Sequence, residues 1–289
     1  MLEDVNLYYI GGVVRDEILS VKSFDTDFCY EGNAIRFAQD KHLNIIKTNP
    51  EFGTVRVLSD NGEIDIASTR TETYPRKGHL PKVENIGCAL KEDLIRRDFT
   101  VNAMAKRTTD KELIDYFGGL EDIKNKKLRV LHEASFIDDP TRIIRGLKFS
   151  VRFNFELEEK TKELQENYIN NINYDMSYYR LKKEIVDAFS LNKQEVFTKF
   201  VEEKLYKLLG QETCTIEKDM PVEKHVIAKN YKYPYMIYLG LFDLSKTLLP
   251  FTRGEKRIIE WAERLKTEKI GNNTPKESIL IHQLRCEYA

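Results

Sequence analysis

Residues 7–30 read LYYIGGVVRDEILSVKSFDTDFCY, and the reading of this stretch decides the fold. Residues 7–10 are Leu, Tyr, Tyr and Ile, a strand composition. They end at Gly11-Gly12, and a helical run follows over 13–20. Residues 24–30 read as a second strand. Working outward, 33–41 has the pattern of a helix and 43–47 that of a strand. Residues 54–59 and 63–68 are two alternating runs joined by Asp60-Asn61-Gly62, and Asn-Gly between such runs is a strong hairpin signal. The first third of the chain therefore predicts a small mixed sheet with a few helices.

Two features of this region carry chemistry. Asp25 and Asp27 lie two apart on a predicted strand, so both carboxylates face one way, about 6.5–7 Å apart along the chain. They repel unless a cation sits between them, and hard divalent cations prefer oxygen ligands. Asp65, between Ile64 and Ile66, alternates away from the apolar face of its strand and is a third candidate. Three acids on neighbouring strands can hold two metals about 3.5–4 Å apart for in-line phosphoryl or nucleotidyl displacement. Taken alone, the pair reads more readily as decoration of a solvent-facing edge strand, and DxD by itself is a weak signal. The second feature is Gly11-Gly12-Val13-Val14-Arg15-Asp16. Glycine at a strand-to-helix turn lets an anion approach backbone amides, and Arg15 can add charge. The same residues also suit a tight turn that needs positive φ. A phosphate turn placed about 13 residues before paired acids fits a nucleoside triphosphate.

Composition narrows the classes. The 289 residues carry 46 Lys and Arg against 47 Asp and Glu, so a nucleic-acid partner has to be held by local basic patches. Residues 221–289 lean basic, 12 to 8, an excess too small to argue from alone. No apolar stretch approaches the ~20 residues of a membrane span, and the N-terminal residues lack the pattern of a signal peptide. A cytoplasmic location without a membrane partner is the expectation. Cys29, Cys88, Cys214 and Cys286 are too scattered for a zinc site or a disulfide framework, and no histidine cluster is present. From residue 139 onward the apolar spacing is helical, with further helices expected at 159–167, 178–191, 194–209, 235–249 and 255–266. The chain reads as an α+β head followed by an all-α remainder, with Gly118-Gly119 as a hinge.

The motifs together resemble class II tRNA nucleotidyltransferases and bacterial poly(A) polymerases. Gly11-Gly12-Val13-Val14-Arg15-Asp16 and Asp25-Thr26-Asp27 look like the family's GGxVRD and DxD signatures. Arg70-Thr71-Glu72-Thr73-Tyr74 resembles RTExY, and Arg96-Arg97-Asp98-Phe99-Thr100-Val101-Asn102-Ala103 resembles RRDFTxNA. Asp115-Tyr116-Phe117-Gly118-Gly119 resembles the DxFGG hinge. The run from Ser135 to Arg145 resembles SFxEDPTRILR, with Asp138 where the family has Glu. Ser177, Arg180 and Glu184 resemble a later helix start. The likeness covers residues 7–190.

The resemblance implies a nucleotidyltransferase head at 1–117, a helical neck at 118–190 that reads the base, and a helical body at 191–289 that contacts tRNA. It implies that Asp25 and Asp27 hold catalytic Mg²⁺ with Asp65 as third acid. Gly11, Gly12 and Arg15 would hold the triphosphate, and Arg97, Asp98 and Asn102 the ribose and triphosphate. Asp139, Arg142 and Arg145 would bind the nucleotide, Asp139 and Arg142 by its base edge. The expected activity is addition of C and A, from CTP and ATP, to the 3′ end of tRNA, with the acceptor stem as partner surface. A CC-adding or A-adding enzyme, a poly(A) polymerase and a non-catalytic RNA-binding relative stand as alternatives. Several of these residues have plain structural readings as well. Asp98 and Asp139 each suit a helix cap, and Tyr231-Lys232-Tyr233 and residues 253–257 suit either RNA phosphates or a solvated face. Residues 75–81, bracketed by prolines and basic, read as a mobile loop. Related enzymes use a loop there to change from C to A, and this chain lacks their DGRRP-like form.

Overall fold

The computed structural model describes residues 2–22, 27–60, 62–172 and 175–288. Asp25 and Asn61 lie outside the described residues. The chain divides into two compact units. The first is Met1–Asp139 with Phe155–Lys162, and the second is Pro140–Asn154 with Glu163–Ala289.

The first unit is α+β. Its strands and helices run β1 (Leu7–Ile10), α1 (Gly12–Ile18), β2 (Asp27–Tyr30), α2 (Ala34–Asp40), β3 (Asn44–Asn49), β4 (Thr54–Ser59), β5 (Gly62–Ser68), β6 (Arg70–Thr73), β7 (Lys82–Ile86), α3 (Leu90–Ile95), β8 (Met104–Arg107), β9 (Leu113–Asp115), α4 (Gly119–Lys124), β10 (Lys127–Leu128) and α5 (Ser135–Asp138). Seven strands form one sheet in the order β3-β4-β5-β2-β1-β8-β9. The β2–β5 pair is parallel and the others are antiparallel.

Alternation along the strands explains the two-sided core. Leu7, Phe28, Val55, Val57 and Ile66 point to one face and pack with Phe37 and Ala38 of α2. Tyr8, Ile10, Cys29 and Ala105 point to the other and pack with Leu90 and Leu94 of α3. Asn33 caps α2, its side chain accepting from the Arg36 N–H at 3.0 Å.

Several expectations change. Residues 75–81 join β6 to β7, which pair in a separate two-stranded sheet. They are tied down there, because the Gly78 N–H donates to the Asp138 carbonyl at 3.0 Å and Lys77 lies 3.4 Å from the Asp138 carboxylate. The polar composition of β6 and β7 hid both strands. Gly118-Gly119, expected as a hinge, opens a closely packed helix inside the first unit. Asp115 accepts from the N–H groups of Gly119 and Leu120 at 2.9 and 2.8 Å, and Gly118 takes φ 78°. A Cβ on Gly119 would lie 2.4 Å from the Thr100 carbonyl oxygen. Gly119→Ala should therefore destabilise by about 1–3 kcal/mol, as overpacking does, read as a lowered melting temperature.

The second unit is helical: α6 (Thr141–Phe153), the later part of α7 (Glu159–Asn170), then α8 (Tyr178–Phe189), α9 (Gln194–Glu202), α10 (Val222–Ile227), α11 (Pro234–Leu239), α12 (Arg253–Arg264) and α13 (Lys276–Glu287). Between α6 and α7 the chain returns to the first unit, where β11 (Glu156–Leu157) pairs in parallel with β10. The helix expected at 194–209 breaks at Lys204, φ 57°, and continues as a 3₁₀ turn. Both pieces keep their apolar residues buried, so the periodicity survives the break. The helix expected at 235–249 ends at Leu239, with Gly240 as its C-cap, packed against Ile281. Phe189 stacks on Tyr238 at 5.2 Å, with Phe197, Phe200 and Phe242 around them. Among the described residues no helix is long and apolar enough to cross a membrane.

Candidate active site

One row of side chains crosses the sheet. In the strand registers Lys47 pairs with Arg56, Arg56 with Asp65, and Asp65 with Asp27. Register partners point to the same face, so two cations and two anions stand abreast on β3, β4, β5 and β2, strands spaced about 4.8 Å apart. All four line a cleft of about 460 Å³, whose wall also carries Arg70, Arg96 and Arg97. Asp65 binds Arg56 through both oxygens, Nε and Nη2 each donating at 2.7 Å. Asp27 and Asp65 are exposed. Two hard oxygen donors brought abreast by register suit a divalent cation. Asp25, the other half of the DxD pair, lies outside the described residues.

The arginine wall is held from behind by Asp93, which is fully buried. Its Oδ1 accepts from Arg96 Nη2 at 2.7 Å and from the Arg70 N–H at 3.1 Å, and its Oδ2 from Arg97 Nη2 at 3.1 Å. Burial alone would push the Asp93 carboxyl up, but Arg97 and Arg96 outweigh it and hold the group below the usual carboxylate range. Burial likewise pulls Arg96 down, while Asp93 and Glu72 raise it above its ordinary value. Glu72 adds ion pairs to Arg70 at 2.7 Å and Arg96 at 3.1 Å. Arg97 Nε is buried without a hydrogen-bond partner among the described residues. A stranded charged donor on the wall of a cleft is what an anionic ligand would satisfy.

The glycine turn sits beside this wall. Gly11 has φ 66°, and a Cβ there would stand 2.9 Å from Arg97 Nη1, so glycine is needed for conformation and for space. Beneath the turn the structure places Arg15 differently from the expectation. Its guanidinium is buried against Asp16, Nε and Nη2 donating at 2.8 and 2.6 Å, and Nη1 donates to Asn102 Oδ1. Asn102 Nδ2 in turn donates to Asp98 Oδ1 at 2.9 Å, which also accepts from the Phe99 N–H. Arg15 thus braces Asn102 and Asp98 from below. The adjacent acid, out of water, is a stronger partner than an open site.

The remaining expected residues divide between the units, and each is described by itself. Asp139, buried, closes α5, its N–H donating to the Ser135 carbonyl at 3.1 Å. Arg142, also buried, lies in the first turn of α6 in the second unit. Arg145 stands over Phe149 at 5.4 Å and 3.8 Å from Glu184. In the C-terminal part, Glu277 accepts from the N–H groups of Lys232 and Tyr233 at 2.9 and 3.1 Å. That segment has a structural role of its own.

Sequence reading passed over Arg56, Asp93 and Lys47, although signals for two were present. Asp93 precedes Arg96 and Arg97 by three and four residues, the spacing of ion pairs on a helix. The pairing of Ser59 with Gly62 sets every later pair, and Arg56 opposite Asp65 follows by counting.

Residues 7–129, which include the sheet and its cleft, match the family model for the Poly A polymerase head domain. Over 169 residues the chain is 48% identical to the A-adding tRNA nucleotidyltransferase of Aquifex aeolicus, a match that covers 56% of this chain and 20% of that protein. It is 37% identical over 181 residues to the CCA-adding enzyme of Streptococcus agalactiae, covering 61% of this chain and 44% of that one. The chain thus spans less than half the length of these curated relatives. A solved structure of a tRNA nucleotidyltransferase, complexed with a primer tRNA and an incoming ATP analogue, superposes with a TM-score of 0.68 at 28% identity. That superposition covers 97% of this chain and 91% of the other.

Proposed function

We propose that this chain is a tRNA nucleotidyltransferase that transfers A, or C and A, nucleotidyl groups from the triphosphates to the 3′ end of tRNA. The observation that carries the reading is the charged row Lys47–Arg56–Asp65–Asp27 in a cleft walled by Arg70, Arg96 and Arg97. Acids at one end suit a divalent cation and cations around them suit a triphosphate. Asp25, Asp27 and Asp65 would hold Mg²⁺, which when bound polarises the α-phosphate and lowers the pKa of the primer 3′-hydroxyl. Arg96 and Arg97, fixed by Asp93, bind the phosphates. Gly11 and Gly12 let them approach the backbone. Asp98 and Asn102, braced by Arg15, face the ribose. Pyrophosphate leaves as the primer oxygen attacks in line.

Asp139 and Arg142 select the base. A carboxylate accepts from the amino group that cytosine and adenine share, and meets a carbonyl in uracil and guanine. The guanidinium donates to the neighbouring ring nitrogen. A buried polar mismatch costs about 1–3 kcal/mol, roughly a factor of ten to a hundred in rate. Asp139→Ala or Arg142→Ala should therefore flatten the preference among the four NTPs by about that factor, while tRNA affinity changes little. Single-nucleotide incorporation assays read both.

Within this class, the higher identity to an A-adding relative than to a CCA-adding one favours terminal A addition over the full CCA sequence. Sequencing of 3′ ends made from tRNA ending at the discriminator base, at C and at CC, with all four NTPs, decides. One A on the CC substrate alone marks an A-adding enzyme, and completion of all three marks a CCA-adding one. Long A tracts on generic RNA mark a poly(A) polymerase. No extension of any RNA would sink the enzymatic reading.

A further inference from the structure

The charged row has an uneven balance. Asp27 and Asp65 are like charges directly opposite on adjacent strands, an arrangement that destabilises a sheet unless something neutralises one of them. Arg56 does so, with a two-pronged contact to Asp65 and a longer one, 3.3 Å, to Glu63. The pair is open to water, Arg56 44% and Asp65 51% exposed, so the contact is weak and the guanidinium can leave it. On its other side stands Lys47, which has no ion-pair partner among the described residues. An arginine turning away from Asp65 moves toward a like charge. That move is favourable only when an anion fills the space between them. The guanidinium fork that fits a carboxylate fits a phosphate equally well.

We propose that Arg56 is an exchangeable counter-ion that couples divalent-cation binding to triphosphate binding. The proposal rests on reading the cleft as a nucleotidyl-transfer site. A cation arriving at Asp65 competes with Arg56. A triphosphate arriving beside Lys47 offers the displaced guanidinium a second partner. Each ligand alone is held back by the Arg56–Asp65 contact, and together each lowers the cost the other meets. Linkage makes the effect reciprocal, with the magnitude of an ordinary coupling, about tenfold.

The test uses the whole chain without RNA, so that nothing turns over. Mn²⁺ binding is measured from the paramagnetic resonance of the free ion for wild type and Arg56→Gln. ATP binding is measured by calorimetry in EDTA and in Mg²⁺. Arg56→Gln should bind Mn²⁺ alone several-fold more tightly than wild type. The ratio of its ATP affinities with and without Mg²⁺ should be about tenfold smaller. Complexation of the cation by ATP in solution is common to both proteins and cancels in the comparison. Arg56→Lys keeps the charge and loses the fork, and should fall between the two. It carries the test should the glutamine variant not fold. Equal Mn²⁺ affinities and equal ATP ratios across the folded proteins would overturn the coupling and leave the site reading standing. Absence of Mn²⁺ binding in every protein would bring down both.

Discussion

Replacing Asp25 and Asp27 together by asparagine should reduce nucleotide incorporation by about a thousandfold or more, with the fold intact. Cation assistance in phosphoryl and nucleotidyl transfer is worth several kcal/mol, and each ~1.4 kcal/mol is a factor of ten. Stability should hardly suffer. Asp27 is exposed and stands opposite Asp65, so loss of its charge removes a repulsion. The melting temperature should stay level or rise slightly while incorporation collapses, and filter-binding to tRNA should persist. Retained incorporation in the double variant would contradict the assignment of these acids.

The second large effect is expected at Asp93, which touches no ligand in the proposed mechanism. Asp93→Ala removes the buried acceptor of Arg96, Arg97 and the Arg70 N–H at one stroke. Breaking a buried ion pair from one side costs about 3–5 kcal/mol. For a protein of this size that is roughly 10 °C in melting temperature. Any variant that still folds should show a raised KM for nucleotide, because the two arginines lose their fixed positions. Asp93→Asn tests the electrostatics more finely. The folded carboxyl lies below its ordinary value, so its stabilisation is fully present above the unfolded value near 4 and is lost as pH falls through the lower folded one. Wild type should therefore lose stability in that acid window more steeply than Asp93→Asn. Parallel acid-denaturation curves would remove Asp93 as the source.

Much of the first unit was legible because each signal there is local. Residues 7–10, 33–41, 54–59 and 63–68 carry clear periods, and the structure has β1, α2, β4 and β5 close to those bounds. What stayed hidden depends on pairing at a distance. Residues 70–73 and 82–86 are polar and become strands only because they find each other across the 75–81 connection. β8 and β9 complete the sheet on the far side of β1, a position that no local pattern announces. The site divides in the same way. The DxD spacing pointed to Asp27, strand alternation to Asp65 and the family resemblance to Arg97, whereas the buried support from Asp93 and the pairing of Arg15 with Asp16 are products of packing. In the C-terminal part, helical periodicity ran through the break at Lys204 because a kinked helix keeps the same apolar face.

The chain leaves the first unit at residue 139 and comes back for 155–162 before leaving for good. That short return supplies the parallel partner of β10, and the Thr161 hydroxyl accepts from the Val130 N–H at 3.1 Å. The halves are joined by three covalent crossings, so a nick at either of the first two cannot release an intact first unit. A gene fragment stopped at codon 139 would lack a piece of its own wall. Ribosomal synthesis must reach beyond residue 162 before that half can close, and by then the whole of α6 has already been made.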